Sequence, residues 1–432
     1  PGSVALDQGK VVAIPPIHRP RGVYARLEQP LSCDSRGRTD HPLFAQRLRQ
    51  LARKHRGKVS LLSVTGDDPL IKLHARMTAS PASLVAALGA VVKAAAQLQG
   101  VPALAGLDGV EPCADSLAIA KSLVSGKNKA VFLGNVAEQV ADATQLQALA
   151  SELGRLTGAS VGFIGEAANS VGGYVAQALP SALNAYEMFA QPRQAYVLMG
   201  VEPELDCCNP QLAIAALKQA ALVVMLTPFK HEAALDYADV LLPVSPYTET
   251  SGTFINTEGR AQSFSGVCRP LGETRPGWKV LRVLGNLLGL DGCLYESSEQ
   301  VRDEVLPVGT DFVAGLDNGL GALHIVLNAA ANELQRIADV PIHFADQLVR
   351  NAAALQLTQD AVAPQARMNA ETLGRIGIGS GDKVKVRQGQ GNAQLTAVLD
   401  DKVPSGCVRV AAAHASTAAL GDMFGTITVE RA

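Results

Sequence analysis

Along most of the chain the apolar positions switch between two spacings, and the switching predicts helices layered on buried strands. Leu43, Phe44, Leu48 and Leu51 recur at helical intervals, and Lys58-Val59-Ser60-Leu61-Leu62-Ser63-Val64 then reads as a buried strand. The same texture predicts helices over 81–98, 114–123, 141–156 and 210–220, with strands at 130–133, 160–164, 195–199 and 222–226. These strands are apolar without period-two alternation. A strand of that kind must be covered on both faces, which is the situation of a parallel sheet between layers of helix. The expected class is α/β, with doubly wound, mainly parallel sheets carrying helices on both faces.

The periodicity also divides the chain. Residues 1–40 mix Pro15, Pro16, Pro20 and Pro30 with Arg19, Arg21, Arg26, Arg36 and Arg38 and hold no apolar period, so an unpacked leader is expected, from a chain truncated or out of frame at its start. An α/β region follows over 41–290. Within it Thr248–Gln262 is punctuated by turn residues and predicts a hairpin, and residues 276–290 predict a helix with an apolar stripe through Val280, Leu281, Val283, Leu284, Leu287 and Leu288. Residues 291–364 are less regular and read as a connecting segment, with one helix near 322–337. The last unit, 365–432, alternates polar and apolar residues through Lys383–Arg387, turns at Gly389–Asn392 and again at Pro404–Gly406, and reads as a small β-barrel or sheet.

Composition narrows the function. With 38 Lys+Arg against 40 Asp+Glu in 432 residues, no broad field exists to gather nucleic acid or anionic lipid. The most apolar stretches, 84–96 and 213–226, carry Lys93 and Lys218 and read as core elements rather than bilayer spans, so no direct membrane insertion is expected. The seven cysteines lack the short spacings that wrap a metal or cluster, and adjacent Cys207 and Cys208 are poor geometry for one ion, so they read as buried spectators. The histidines show no metalloprotease pairing, and no Gly-x-Ser-x-Gly elbow lies between a strand and a helix. Neither a catalytic residue nor a metal ligand is expected.

In open parallel sheets the ligand crevice lies at the carboxyl ends of the strands. Three such corners are candidates: Gly134-Asn135, Phe163-Ile164-Gly165, and Gly200-Val201-Glu202-Pro203. No glycine-rich dinucleotide fingerprint accompanies them. In the hairpin, Gly252 and Gly259 most simply supply turn dihedrals, Asn256 and Thr257 satisfy turn backbone groups, Glu258 and Arg260 form a local ion pair, and Glu249 and Gln262 cross-link the turn. Asp239 reads as a cap.

The run Ala238-Asp239-Val240-Leu241-Leu242-Pro243, followed by Glu249, Gly252-Thr253, Asn256, Glu258-Gly259-Arg260 and Gln262, resembles the molybdopterin oxidoreductase superfamily. In the same order, Met368-Asn369, Gly381-Asp382-Lys383-Val384 and Val403-Pro404-Ser405-Gly406 look like that family's terminal barrel. The resemblance runs from about His41 to Ala432 and implies nested doubly wound domains plus a double-psi-like β-barrel. A narrower resemblance, carried by Glu166–Tyr174, Arg275–Arg282 and Arg336–Ile342, is to the large iron–sulfur subunit of bacterial NADH-quinone oxidoreductases. It implies a non-catalytic scaffold supporting electron transfer from NADH to quinone, with no cofactor in this chain and the iron–sulfur clusters in an amino-terminal part. Its partners would be the other subunits of the peripheral arm, at the cytoplasmic face of the inner membrane. Gly134, Asn135, Gly200, Glu202, Asp239, Glu249, Gly252, Thr253, Asn256, Glu258, Gly259, Arg260 and Gln262 would then be remnants of a pterin site. The alternative is a cofactor-binding fragment of a molybdopterin-dependent enzyme similar to formate dehydrogenase or nitrate reductase. An open crevice lined by backbone amides and cations favours the alternative; one filled by side chains favours the scaffold.

Overall fold

A computed structural model describes residues 11–12, 29–33, 41–67, 70–165, 167–307, 309, 316–317, 324–327 and 333–432. A two-residue parallel pair, β1 (Val11–Val12) with β12 (Leu316–Asp317), joins none of the sheets of the three larger units.

The first unit runs β2 (Gln29–Cys33), α1 (Pro42–Lys54), β3 (Val59–Ser63), β4 (Leu73–Thr78), α2 (Leu84–Gln99), α3 (Ala114–Ser125), β5 (Lys129–Leu133), α4 (Asn135–Gln139), α5 (Ala143–Thr157) and β6 (Ser160–Phe163). Its strands are all parallel in the order β4-β3-β2-β5-β6, so the winding reverses between β2 and β5. The expected helices and strands fall here within a few residues. Alternate residues of β5 show why its strand is apolar throughout. Val131 and Leu133 pack with Leu88, Val92, Ile119 and Leu149 of α2, α3 and α5, while Ala130 and Phe132 pack with Leu48 and Leu51 of α1. Full burial of each such aliphatic side chain contributes roughly 1.5–3 kcal/mol. Helix α2 belongs to a stretch apolar and long enough to cross a membrane by composition alone, yet Leu88, Val91, Val92 and Ala95 are buried in this core. Gly100, at φ +66°, ends it in a left-handed cap.

Strand β2 corrects the expectation of an unpacked leader over 1–40. It is the central strand of the sheet, paired with β3 on one side and β5 on the other, and Leu31 is fully buried. Its five residues include Pro30 and lie beside an arginine-rich stretch, so no apolar period marks it. Long-range pairing, rather than local pattern, makes it a strand. Most of the remaining leader lies outside the described residues.

The second unit contains α6 (Ser170–Val175), α7 (Ala185–Ala190), β7 (Ala195–Met199), α8 (Pro203–Asp206), α9 (Pro210–Gln219), β8 (Leu222–Thr227) and β9 (Val240–Pro243). Its sheet is parallel in the order β7-β8-β9. Asn209 caps α9 by accepting from the Leu212 amide at 3.0 Å, with Pro210 in the first turn. The antiparallel hairpin β10 (Gly252–Ile255) and β11 (Ala261–Phe264) follows as expected, then α10 (Gly277–Leu287) and α11 (Ser298–Val305).

The third unit is a curled, open seven-stranded sheet, a half-barrel, in the order β18-β13-β17-β14-β16-β15-β19. Its strands are β13 (Gln335–Ile337), β14 (Ala366–Met368), β15 (Lys383–Gln388), β16 (Gly391–Leu399), β17 (Cys407–Arg409), β18 (Phe424–Thr426) and β19 (Thr428–Arg431), with short helices α12 (Gln347–Arg350), α13 (Ala353–Gln356) and α14 (Ala370–Ile376). Val384, Val386, Leu395 and Val408 fill its interior. Strand β13 corrects the helix expected near 322–337. Gln335–Ile337 pair with β17 and β18, and 324–327 are non-helical; 328–332 lie outside the described residues. A short apolar run does not distinguish a buried strand from a helix by period, and here the barrel decides. The fold is thus mixed α/β with parallel sheets and a terminal half-barrel, the class expected.

Candidate functional site

The carboxyl ends of both parallel sheets turn toward segments that lead into or belong to the half-barrel. Beyond β3, the Gly66 amide donates to the Lys402 carbonyl at 2.6 Å, and Asp67 pairs with Arg409 at 3.1 Å. Arg409 also pairs with Asp339 at 3.2 Å, and these two carboxylates hold its guanidinium above its ordinary pKa despite burial. Beyond β7 and β8 the contact is made by α12 and the chain just before it.

At the β7–β8 corner eight polar side chains converge. Gly200 takes φ +67° and its amide donates to the Leu226 carbonyl at 2.8 Å, which turns the chain sharply into Glu202. Glu202 is 3% exposed and pairs with Arg350 of α12 at 2.8 Å; the same guanidinium pairs with Asp206 at 2.8 Å. The Glu202 amide donates to Asp206 Oδ2 at 2.7 Å. Glu204 pairs with His231 Nδ1 at 3.1 Å and accepts from the Tyr237 hydroxyl at 2.9 Å. Buried Gln347 of α12 meets the Thr227 hydroxyl at 3.2 Å. Burial pushes the Glu202 carboxyl above its ordinary value, against the pull of Arg350 and His231. Burial works the same way on Glu204, but hydrogen bonds from His231, its own amide and Tyr237 bring it below the usual range. The hydrogen bond to Glu204 raises His231.

A pyrophosphate needs free amides and unspent cations. Here the amides of Gly200 and Glu202 are already donated, and three carboxylates face one arginine and one histidine. This corner does not fit a pterin pyrophosphate. The raised His231 gives a pH signature. A base whose folded pKa lies above its ordinary 6.5 adds stability that is complete below that value and lost as pH rises through the folded value. We expect the chain to lose stability over that alkaline interval and His231→Gln to flatten it, as read by denaturant midpoints across neutral pH. An equal slope in both proteins would refute the assignment.

The corner beyond β5 is different. Gly134 is extended and opens α4, and it lies where the winding reverses between β2 and β5, the usual nucleotide position of such sheets. Asn135 is the first residue of α4 there, and Glu138 follows in its first turn. Residues 34–40, which follow β2 in the chain, and Glu166, which follows β6, lie outside the described residues.

The hairpin reaches the corner beyond β6, where Thr257 stands 3.8 Å from a Cβ built on Gly165, and the neighbouring Ile164 amide donates to the Leu133 carbonyl at 2.7 Å beside Gly134. Asp239 sits at the amino end of β9, where its carboxylate accepts from the Val223 amide at 2.7 Å and ties β8 to β9. The hairpin residues hold the hairpin. Asn256 Oδ1 accepts from the amides of Glu258 and Arg260 at 3.0 and 2.9 Å, Gly259 takes φ +75°, and Glu258 lies 3.8 Å from Arg260. Thr253 meets Ser263 at 2.9 Å across the strands, and Gln262 pairs opposite Phe254. Gly252 differs from expectation: its φ is not positive, and a Cβ there would sit 2.9 Å from the Phe264 ring, so the need is for space. Glu249 accepts from the Leu271 amide at 3.1 Å rather than bonding Gln262. The hairpin is anchored by Asn169, which accepts from the Ile255 amide at 2.8 Å. Cys207 is half-buried, with burial pushing its thiol up to about 12, but Cys113, Cys208 and Cys268 are exposed, against the expectation of buried thiols. Among the described residues no group of three His, Cys, Asp or Glu side chains could hold a metal ion.

Residues 33–287 match the family described as molybdopterin oxidoreductase, and 342–428 match the molydopterin dinucleotide binding domain. A Staphylococcus aureus (strain USA300) protein provisionally named formate dehydrogenase is 45% identical over 108 residues, covering 25% of this chain and 11% of that protein. Its counterpart in the bovine strain RF122 is 44% identical over 69 residues, 16% of this chain and 7% of that protein. The matched part of this chain thus spans about a tenth of those relatives' length. Acetylene hydratase from Pelobacter acetylenicus shares the fold at TM-score 0.65 over 95% of this chain and 78% of that one, at 12% identity.

Proposed function

Because the chain belongs to the molybdopterin oxidoreductase family, matched over more than half its length, we propose that it forms the pterin-dinucleotide-holding part of an oxidoreductase of the formate dehydrogenase kind. The observation that carries this reading is the match of both the α/β region and the half-barrel to the family's cofactor domains, together with the 45% identity to the Staphylococcus aureus protein. The β2–β5 reversal, with Gly134 and Asn135 at its mouth, would receive the nucleotide end, and the bound metal would supply the redox chemistry. The chain's own part is to orient the dinucleotide between sheet and half-barrel. Purified protein is expected to carry near-stoichiometric pterin, read as fluorescence after oxidation, with molybdenum or tungsten by elemental analysis. Neither pterin nor metal in freshly purified protein would sink this reading.

One observation favours a second reading. The carboxylate-filled corner around Glu202 and Arg350 is what the cofactor-free scaffold of a respiratory NADH-quinone oxidoreductase requires, with side chains standing where a pyrophosphate would otherwise sit. Under that reading the protein co-purifies with peripheral-arm subunits at the cytoplasmic face of the inner membrane and contains no pterin.

A further inference from the structure

Helix α12 reaches the β7–β8 corner from the segment that leads into the half-barrel, and polar side chains make its hold there. Arg350 pairs with Glu202 and with Asp206 at 2.8 Å each, and Gln347 Oε1 meets the Thr227 hydroxyl at 3.2 Å. The same guanidinium donates to the Phe344 carbonyl at 2.8 Å, which ties the helix to the turn before it. Glu204 belongs to the same acidic turn, and its carboxylate takes the other cation, His231, through Nδ1 at 3.1 Å. The corner thus sets three carboxylates against two cations while His231 is charged, and against Arg350 alone when it is neutral. Two further groups leave that count unchanged. Burial keeps the Tyr237 hydroxyl and the Cys207 thiol, both beside Glu204, protonated well above neutral pH.

Histidine is the side chain of this set whose ordinary pKa lies near neutrality, so its proton is the variable. Its Nδ1–H donates to Glu204 in both states, because the proton is lost from Nε2, which is buried and makes no hydrogen bond among the described residues. Deprotonation therefore removes a charge and leaves the geometry. Three carboxylates then share one guanidinium in a site with little water, where like charges repel with little screening. The repulsion falls on the turn that Arg350 must grip.

We propose that α12 is a proton-gated clasp, closed on the corner while His231 carries its proton and released, with both sheets still folded, as that proton is lost. The facing groups agree in sign. Burial holds Glu202 above its ordinary value and the hydrogen bond to Glu204 holds His231 above its own, so each adds stability at low pH that is lost as pH rises through its folded value. Burial also pushes Glu204 up, but its hydrogen bonds bring it below 4.5, so its opposite contribution is lost only in acid. His414, stacked on Phe344 with ring centroids 4.9 Å apart, is lowered by burial, and its contribution also fails on the acid side.

A helix of four residues does not persist away from its dock, so amide exchange over Leu348 to Asn351 reads the release. In the purified protein that exchange, corrected for its intrinsic pH dependence, should rise by about tenfold between about pH 6 and about pH 9. Low urea should leave it unchanged while exchange in β8 rises, which separates release from unfolding of the sheet. His231→Gln should exchange fast at both ends of the range. Adding Glu204→Gln should restore slow exchange at both, since it returns the excess of carboxylates over cations to that of the protonated corner. His414→Gln should leave the alkaline rise in place. Flat exchange across the range in the unaltered protein, α12 exchange that follows β8 in urea, an alkaline rise kept in His231→Gln or lost in His414→Gln, or a double variant as fast as His231→Gln would overturn the proposal. None of these readouts depends on pterin content.

Discussion

Arg336→Ala is expected to destabilise the half-barrel by about 3–5 kcal/mol, among the largest effects of any single substitution in the chain. Arg336 is 2% exposed, and its guanidinium donates to Gln388 Oε1 at 2.9 Å and to the carbonyls of Gly421 and Asp422 at 3.1 Å each. Burial pulls its pKa down to about 10 against the nearby Asp339 and Asp422, so it remains charged at neutral pH. Removing it takes the guanidinium from Gln388 Oε1 and the Gly421 carbonyl in a dry interior, while the Asp422 carbonyl keeps the Gln388 side-chain amide at 2.7 Å, and opens a cavity the size of a long side chain. Arg336→Lys should recover part of the loss, because one ammonium cannot reach acceptors spread across a planar fork. Amide hydrogen exchange of β14 to β17 is the appropriate measurement, since the only tryptophan, Trp278, lies in α10, outside the half-barrel. Unchanged protection in Arg336→Ala would show that the guanidinium contributes little to holding these strands together.

The second large effect is at the β7–β8 corner. Arg350→Ala should cost about 3 kcal/mol, because Glu202 is left charged and buried without its cation, and α12 loses its main tie to α8. The loss should depend on pH. Burial already raises the Glu202 carboxyl above its ordinary 4.5, and removing the arginine removes an attraction that opposes the rise. An acid whose folded pKa is raised adds stability that is complete below its unfolded value and is lost as pH rises through the folded one. The variant should therefore regain stability on acidification toward 4.5, provided the measurement stays above the pH at which the other carboxylates unfold the chain. Glu202→Gln in the Arg350→Ala background should restore most of the loss at neutral pH. If the double variant is as unstable as the single one, the cost lies in lost packing of the arginine stem and not in the stranded charge.

Much of the fold can be read in the chain because its strands are short, apolar and flanked by helices of clear period. The expected strands at 130–133 and 222–226 match Lys129–Leu133 and Leu222–Thr227, read from short apolar runs beside helices of clear period. Of the candidate site, Gly134, Gly200 and Glu202 were legible from their position after a strand. Arg350, Asp206, Glu204, His231 and Gln347 were not, because no spacing links 202–206 to 347–350. Arg336 stood in a motif that was noticed, but nothing in the motif says that the side chain is buried.

The sequence by itself determined the layers: which segments are helix or strand, that the sheets are parallel, and that a small barrel-like unit ends the chain. Those properties follow from local period and from burial on two faces, which neighbouring residues encode. Only the tertiary structure decided that Gln29–Cys33 and Gln335–Ile337 are strands, that Asn256 braces its own hairpin turn, and that α12 fills the corner beyond β7. Each depends on partners distant along the chain, and pairing at that distance is fixed by packing, not by the pattern of the segment that is paired.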